Sequence, residues 1–186
     1  MSMSRDARPG DAPGRGRLQD ATGADVSFRR ATAADLAAVH AIVGDALREY
    51  GLRLLLESSD VDLTSIERHY DDRGGRLELI EGRAGEPLGV LGWRPAGDVA
   101  ELKKLYLTRA ARGRGIGRLA IERAVAFARA GGSRAVVLET SARLGEANRL
   151  YVRSGFRPVH GTEAASFATL SDECDLAYRL DLEPTQ

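Results

Sequence analysis

Cysteine, lysine and histidine are all scarce in this chain. The single cysteine, Cys174, excludes an intrachain disulfide and a thiolate metal cluster. The three histidines, His40, His69 and His160, are scattered without ligand spacing, so no metal is expected. Lysine occurs only at Lys103 and Lys104, and arginine carries the rest of the positive charge. The 27 basic and 27 acidic side chains cancel to a formal net charge of zero, which excludes a global field toward nucleic acid or a membrane surface. Neither is expected as a partner. No apolar run is long enough to span a bilayer, and the N-terminus lacks the apolar core of a signal peptide, so a cytoplasmic location is expected. What is present is a chain of 186 residues with 43% hydrophobic content, suited to one globular domain with a real core.

Residues 1–25 are rich in Gly, Pro, Ala, Asp and Arg and nearly free of large apolar side chains. Such a segment cannot offset its ordering entropy by burial, which predicts a disordered tail, with a basic interaction arm as the weaker reading. The domain is expected over 26–183. It opens with a strand at 26–30, then Thr32 as N-cap with Asp35 closing a capping box. Leu36, Val39, Val43, Leu47 and Tyr50 recur at three- and four-residue steps, predicting a helix to about Gly51. Residues 52–62 are ambiguous and acidic, 64–72 read as a short helix, and 76–81 with 88–94 as a hairpin. A further turn at 95–98 leads into a strand from Val99, so three antiparallel strands follow in succession. Beyond a helix over 115–130, the apolar run at 135–140 predicts a buried strand parallel to the one from Val99. A helix over 144–154, a strand at 156–159, a polar loop at 160–173 and a last strand at 174–182 complete the pattern.

The turn between the Val99 strand and the next helix holds Gly113, Gly115 and Gly117 at alternate positions. Glycine permits tight turning there and leaves no Cβ between the amides and a ligand. The free N–H groups of the following helix's first turn form an anion site. Arg112, Arg114 and Arg118 add charge suited to phosphate, and cations at a helix N-terminus, repelled by its dipole, are better explained by a bound anion. A dinucleotide-binding turn is the nearest competitor, with Glu139 as its distant acid. It is disfavoured because its third glycine would fall at Arg118 and because residues 108–112 separate strand from glycines.

The turn reads R-G-x-G-x-G over 112–117, and the later helix reads A-x-x-L-Y-x-x-x-G-F over 147–156. In this order and separation the two resemble the GCN5-related N-acetyltransferase (GNAT) superfamily, over roughly residues 26–182. The resemblance implies an α/β fold of the α+β kind. It is a single domain with a mixed, mostly antiparallel central sheet, a splayed parallel strand pair and flanking helices. It also implies acetyl-CoA as cosubstrate. The pantetheine arm would lie in the splay against main-chain groups of Leu105, Tyr106 and Leu107. The diphosphate would sit on the amides of Arg112, Gly113, Arg114, Gly115, Ile116, Gly117 and Arg118. Many relatives carry an asparagine at the position of Leu144, and Asn148, one turn later, is the candidate substitute. The resemblance also allows a homodimer, since relatives often pair.

Moving an acetyl group from a thioester to an amine poses two proton problems. A free alkylamine is neutral at pH 7 about once in 2,500 molecules, a cost of roughly 4.6 kcal/mol. Glu101 stands where a glutamate base stands in the histone-acetylating branch of the superfamily. Read along an unbroken strand, it shares a face with Lys103, Leu105 and Leu107. The competing reading makes Glu101 a strand residue paired across the sheet with an arginine; Glu139 is the second candidate base. Lys103 and Lys104 read as edge or cleft-rim charges. For the leaving thiolate, Tyr151 matches the superfamily's usual general acid, against the plainer reading of a core tyrosine. A phenol near pKa 10 giving its proton to a thiolate near 8.5 is uphill by about 2 kcal/mol, so its help is a hydrogen bond that strengthens as charge builds. The expected acceptor is a small primary amine (amino acid, polyamine or drug-like), with Glu57, Asp60 and Asp62 as attractants for its charge. A peptide N-terminus or lysine is the alternative acceptor, and a catalytically idle CoA-binding regulatory module the alternative of another class.

Overall fold

The computed structural model describes residues 18–165 and 174–183. Its frame is an eight-stranded sheet in the order β1-β2-β3-β4-β5-β6-β8-β7. The strands are β1 (Leu18–Gln19), β2 (Asp25–Arg30), β3 (Arg76–Gly82), β4 (Pro87–Ala96), β5 (Val99–Leu107), β6 (Ala135–Thr140), β7 (Arg157–Val159) and β8 (Leu176–Asp181). Every neighbouring pair is antiparallel except β5–β6. The mixed sheet with one parallel pair is the architecture the sequence predicted.

Helices α1 (Leu36–Arg48) and α2 (Ile66–His69) cover one face, and α3 (Ile116–Ala130) the other. The apolar stripe of α1 supplies Val39, Ile42, Val43 and Leu47, which pack with Leu63, Tyr70, Leu77, Leu79 and Val90. Ile116, Ala120, Ile121 and Ala124 of α3 pack with Phe28, Ile80, Leu91, Ala100 and Leu102, and Tyr151 of α4 (Gly145–Arg153) joins this second cluster. Because both faces are covered, β3 is buried along almost its whole length, and Glu78 faces inward at 1% exposure. Arg123 of α3 satisfies it with two hydrogen bonds of 2.6 and 2.7 Å.

Three local expectations need correction. Leu18–Gln19 pairs antiparallel with Val26 and Asp25, so the last part of the predicted tail is structured; residues 1–17 lie outside the described residues. Part of the predicted 160–173 loop is helical, as α5 (Gly161–Ala165), and residues 166–173 lie outside the described residues. The faces of β5 are not continuous. Gly92 stands opposite Lys104 and Trp93 opposite Leu102, so Lys103 has no partner on β4 and forms a β-bulge. Ahead of it Ala100 and Leu102 face α3; after it Leu105 and Leu107 do. Glu101 therefore shares the α1 face with Lys104 and Tyr106, not the face of Leu105 and Leu107.

The predicted capping box is present. The Asp35 carboxylate accepts from the Thr32 N–H and hydroxyl at 2.8 and 2.9 Å and from Arg29 at 2.9 and 3.0 Å. The Arg29 hydrogen bonds hold its pKa well below the usual carboxylate range. A depressed carboxylate contributes stability above its unfolded pKa and loses it as pH falls through the folded value. Asp35→Ala should lower stability by about 1–2 kcal/mol at pH 7. In urea unfolding, the gap to wild type should narrow below about pH 4.

Candidate active site

β5 and β6 pair only at Ala100–Val136 and Glu101–Val137, then part. The gap opens into a cleft of about 1730 Å³, lined along β5 by Glu101 to Leu107 and at the end of β6 by Glu139 and Thr140. That exceeds an ordinary small-ligand pocket of roughly 300–1,000 Å³. The glycine turn, with Arg112, Gly113, Gly115, Gly117 and Arg118, forms one end. Leu150 and Tyr151 of α4 line it from the α3 side, and Tyr50, Leu52, Arg53 and Ser58 bound it below α1.

The turn exposes main-chain amides at the head of α3. Gly113 and Gly115 sit at φ 75° and 77°, the left-handed region, and a side chain on Gly117 would meet Leu150 Cδ2 at 2.8 Å. The Arg118 and Leu119 N–H groups donate to the Gly115 carbonyl at 3.1 and 3.2 Å, and that of Arg112 to Arg109 at 3.4 Å. Among the described residues, the amides of 113–117 have no main-chain acceptor, so the donor set is narrower than the predicted 112–118.

All three arginines of the turn pair with carboxylates of the chain itself. Arg112 forms two hydrogen bonds to Glu49, at 2.6 and 3.2 Å, and two to the Leu107 carbonyl, at 3.3 and 3.2 Å. Arg114 pairs with buried Asp20 at 2.7 Å and does not line the cleft. Arg118 pairs with Glu122 one helical turn on, at 2.7 Å, with 78% of its side chain exposed. Each cation therefore has a carboxylate, and no bound anion is needed to explain it. The exposed Arg118 pair is weak, which leaves that guanidinium the most available. Ile116 is a core residue at 1% exposure. Asn148 does not line the cleft; its amide donates to the Ser141 carbonyl at 2.9 Å.

Both catalytic candidates line the cleft. Tyr151 is 6% exposed, with Phe156 and Tyr178 rings each 5.9 Å from its own. Burial pushes its phenol well above 10, with Tyr106, Tyr178 and Cys174 adding to the shift. Glu101 is 6% exposed and accepts from Arg94 Nε at 2.7 Å, with Lys103 Nζ 3.3 Å from its other oxygen. The cross-strand arginine pair of the competing reading is thus present, and both oxygens face cations.

A buried polar network escaped the sequence reading. Lys104, 5% exposed, places its ammonium 2.7 Å from Asp60 and 3.2 Å from Asp62, while Tyr70 donates to Asp62. Asp60 also accepts the Leu55 N–H at 2.9 Å. Lys104 is therefore no rim charge, and Asp60 and Asp62 are committed to it rather than to an acceptor. Burial also pushes the Tyr106 phenol up to about 12. The only sequence signal was the rarity of lysine.

A family model described as Acetyltransferase (GNAT) family matches residues 42–156. The chain belongs to the GNAT acetyltransferase family. It is 31% identical to the uncharacterised N-acetyltransferase YjgM of Escherichia coli, over 71% of this chain and 82% of that one. An uncharacterised N-acetyltransferase of Schizosaccharomyces pombe is 29% identical, over 62% of this chain and 72% of that one. The same fold occurs in a GNAT-family acetyltransferase of Staphylococcus aureus, with TM-score 0.77 and 19% identity, covering 85% and 99% of the two chains. It also occurs in YncA of Salmonella typhimurium, a structure containing its cofactor acetyl-CoA, with TM-score 0.62 and 21% identity, covering 86% and 95%.

In this GNAT chain, burial works to lower the Lys104 pKa, but Asp62 and Asp60 overcome it and the net direction is upward. A raised lysine contributes stability below its unfolded pKa and loses it as pH rises through the folded value. Lys104→Met strands two buried carboxylates and should cost about 3–5 kcal/mol at pH 7. In denaturant unfolding, that gap should hold to about pH 10 and shrink above it.

Proposed function

We propose that this GNAT protein transfers an acetyl group from acetyl-CoA to a primary amine of a small molecule. The observation that carries the reading is the parting of β5 from β6 after Glu101 and Val137, which opens onto the amides of 113–117. The residues fit such a donor. An elongated thioester can lie along the separated strand edge, with its diphosphate on those amides and Arg118 adding charge. The YncA likeness supports the same donor, and the curated relatives' description as N-acetyltransferases supports an amine acceptor.

When bound, acetyl-CoA supplies the activated carbonyl carbon, whose bond to sulfur breaks as the bond to nitrogen forms. The protein's part is proton management and placement. Tyr151, raised by burial, stays protonated throughout the physiological range and donates a hydrogen bond to the departing sulfur. Burial widens the gap to a thiolate near 8.5, so this bond works by strengthening as charge accumulates. Glu101, with both oxygens facing cations, takes the amine's proton through a water. Glu139, at the far side of the gap, is the second candidate. Near Leu107 the Thr108 N–H is already spent on the Leu88 carbonyl at 2.9 Å, which leaves the Leu107 N–H as the candidate donor to the carbonyl oxygen.

A thiol-release assay over an amine panel tests the reading. Turnover with small amines supports it; silence across the panel despite tight acetyl-CoA binding favours an idle CoA-binding module. Tyr151→Phe should reduce kcat about 100-fold with acetyl-CoA affinity unchanged. Glu101→Gln should reduce kcat about 100-fold with acetyl-CoA affinity unchanged, and an unchanged kcat there with a loss in Glu139→Gln reassigns the base.

A further inference from the structure

Asp20 has no place in this chemistry, yet its side chain is fully buried and engaged on both oxygens. Oδ2 accepts from Arg114 Nε at 2.7 Å. Oδ1 accepts from the Thr22 N–H at 2.8 Å, the Thr22 hydroxyl at 2.6 Å and the Ala24 N–H at 3.0 Å. The main chain closes the same loop, with Asp20 N–H to the Ala24 carbonyl and Gly23 N–H to that of Asp20, each at 3.0 Å. From this knot the Ala21 N–H donates to the Arg114 carbonyl at 2.9 Å, and a side chain on Gly115 would meet Ala21 Cβ at 3.3 Å. Arg114 is therefore gripped at both its carbonyl and its guanidinium. It stands between two left-handed glycines, a stretch with little conformational preference of its own.

We propose that residues 20–24 form a strap that fixes the glycine turn in its anion-binding conformation, with Asp20 as a positioning residue and Arg114 as its anchor rather than a phosphate ligand. The strap is rooted in the sheet through the Leu18–Gln19 pairing with β2, and it lies outside the 42–156 family match. It acts on the diphosphate end of the donor only, because Arg114 lies away from the cleft where the thioester and amine would meet. This inference rests on the reading of the turn as the acetyl-CoA site.

The test compares acetyl-CoA with acetylpantetheine, which keeps the thioester and lacks the diphosphate. Calorimetry on the full chain gives affinities for wild type, Asp20→Asn, Asp20→Ala, Arg114→Ala and the double variant Asp20→Ala with Arg114→Ala. Each single variant should weaken acetyl-CoA about 10-fold, and the double variant no more than the worse single. Acetylpantetheine affinity and the acceptor KM should not move. Hydrogen exchange in ligand-free Asp20→Asn should be faster at the amides of 112–117, a readout that needs no ligand and uses the variant gentlest on folding.

Acetyl-CoA binding untouched by both Asp20 variants but lost in Arg114→Ala would overturn the strap and make Arg114 a ligand. Equal weakening of both donors would overturn it as a general loss of structure. Should wild type bind neither donor, the acetyl-CoA reading fails on its own, and unchanged exchange at 112–117 then removes the strap as well.

Discussion

Two strands that run side by side and then decline to pair are the constraint on which the rest depends. Beyond Glu101 and Val137, the facing edges of β5 and β6 carry main-chain groups with no partner strand. Such edges carry a free-energy cost unless water or a ligand satisfies them, and they invite strand addition when exposed. Here they are held apart by what stands on either side. On the α1 face, the bulge at Lys103 turns Lys104 into a buried network with Asp60, Asp62 and Tyr70, and Tyr106 packs against the same cluster. On the α3 face, Gly117 admits Leu150 closely enough that α3 and α4 share the mouth of the gap. The opening is maintained by packing on both faces rather than by the absence of anything to fill it.

Charge in this chain is used mainly for construction. Lys104 has the compact, strongly hydrated ammonium that can sit between two carboxylates, a geometry in which a planar guanidinium would need more room and more acceptors. Arginine does the bracing elsewhere, where one side chain reaches two acceptors at once. Arg112 spans Glu49 and the Leu107 carbonyl, and Arg123 grips Glu78 while lying over the rings of Phe28 and Phe127, at 5.1 and 4.8 Å. The positively charged turn thus owes its shape to carboxylates that come from distant parts of the chain.

That distance explains what could and could not be read beforehand. Helix α1 announced itself through apolar residues at three- and four-residue steps, and β6 through an unbroken apolar run, because burial on one face or two leaves a period in the sequence. The family was legible in the turn and the α4 motif, because glycine and tyrosine at fixed spacing mark it locally. Ion pairs leave no such trace. Lys104 and Asp60 are 44 residues apart, Arg112 and Glu49 are 63, and Arg114 and Asp20 are 94. A bulge is equally silent: one extra residue at Lys103 exchanged the faces of β5, moving Glu101 away from Leu105 without altering the composition of the strand. Order at 18–25 leaves no apolar signature for a related reason, since Asp20 is held by hydrogen bonds and one ion pair, not by apolar burial.

The glycine turn is consequently held at both flanks before any ligand arrives, by Glu49 through Arg112 on one side and by Asp20 through Arg114 on the other. Glycines that enable left-handed geometry also enlarge the set of conformations the turn could otherwise visit, and a ligand would have to select one of them at a cost in affinity. Fixing the turn from outside removes that cost while leaving the amides themselves unobstructed. Glu101 is treated in the same way: Arg94 and Lys103 fix its carboxylate where the strands separate. In both places this GNAT chain surrounds the groups that would touch a substrate with ion pairs that do not, so placement is settled by the fold and the substrate meets a site already shaped.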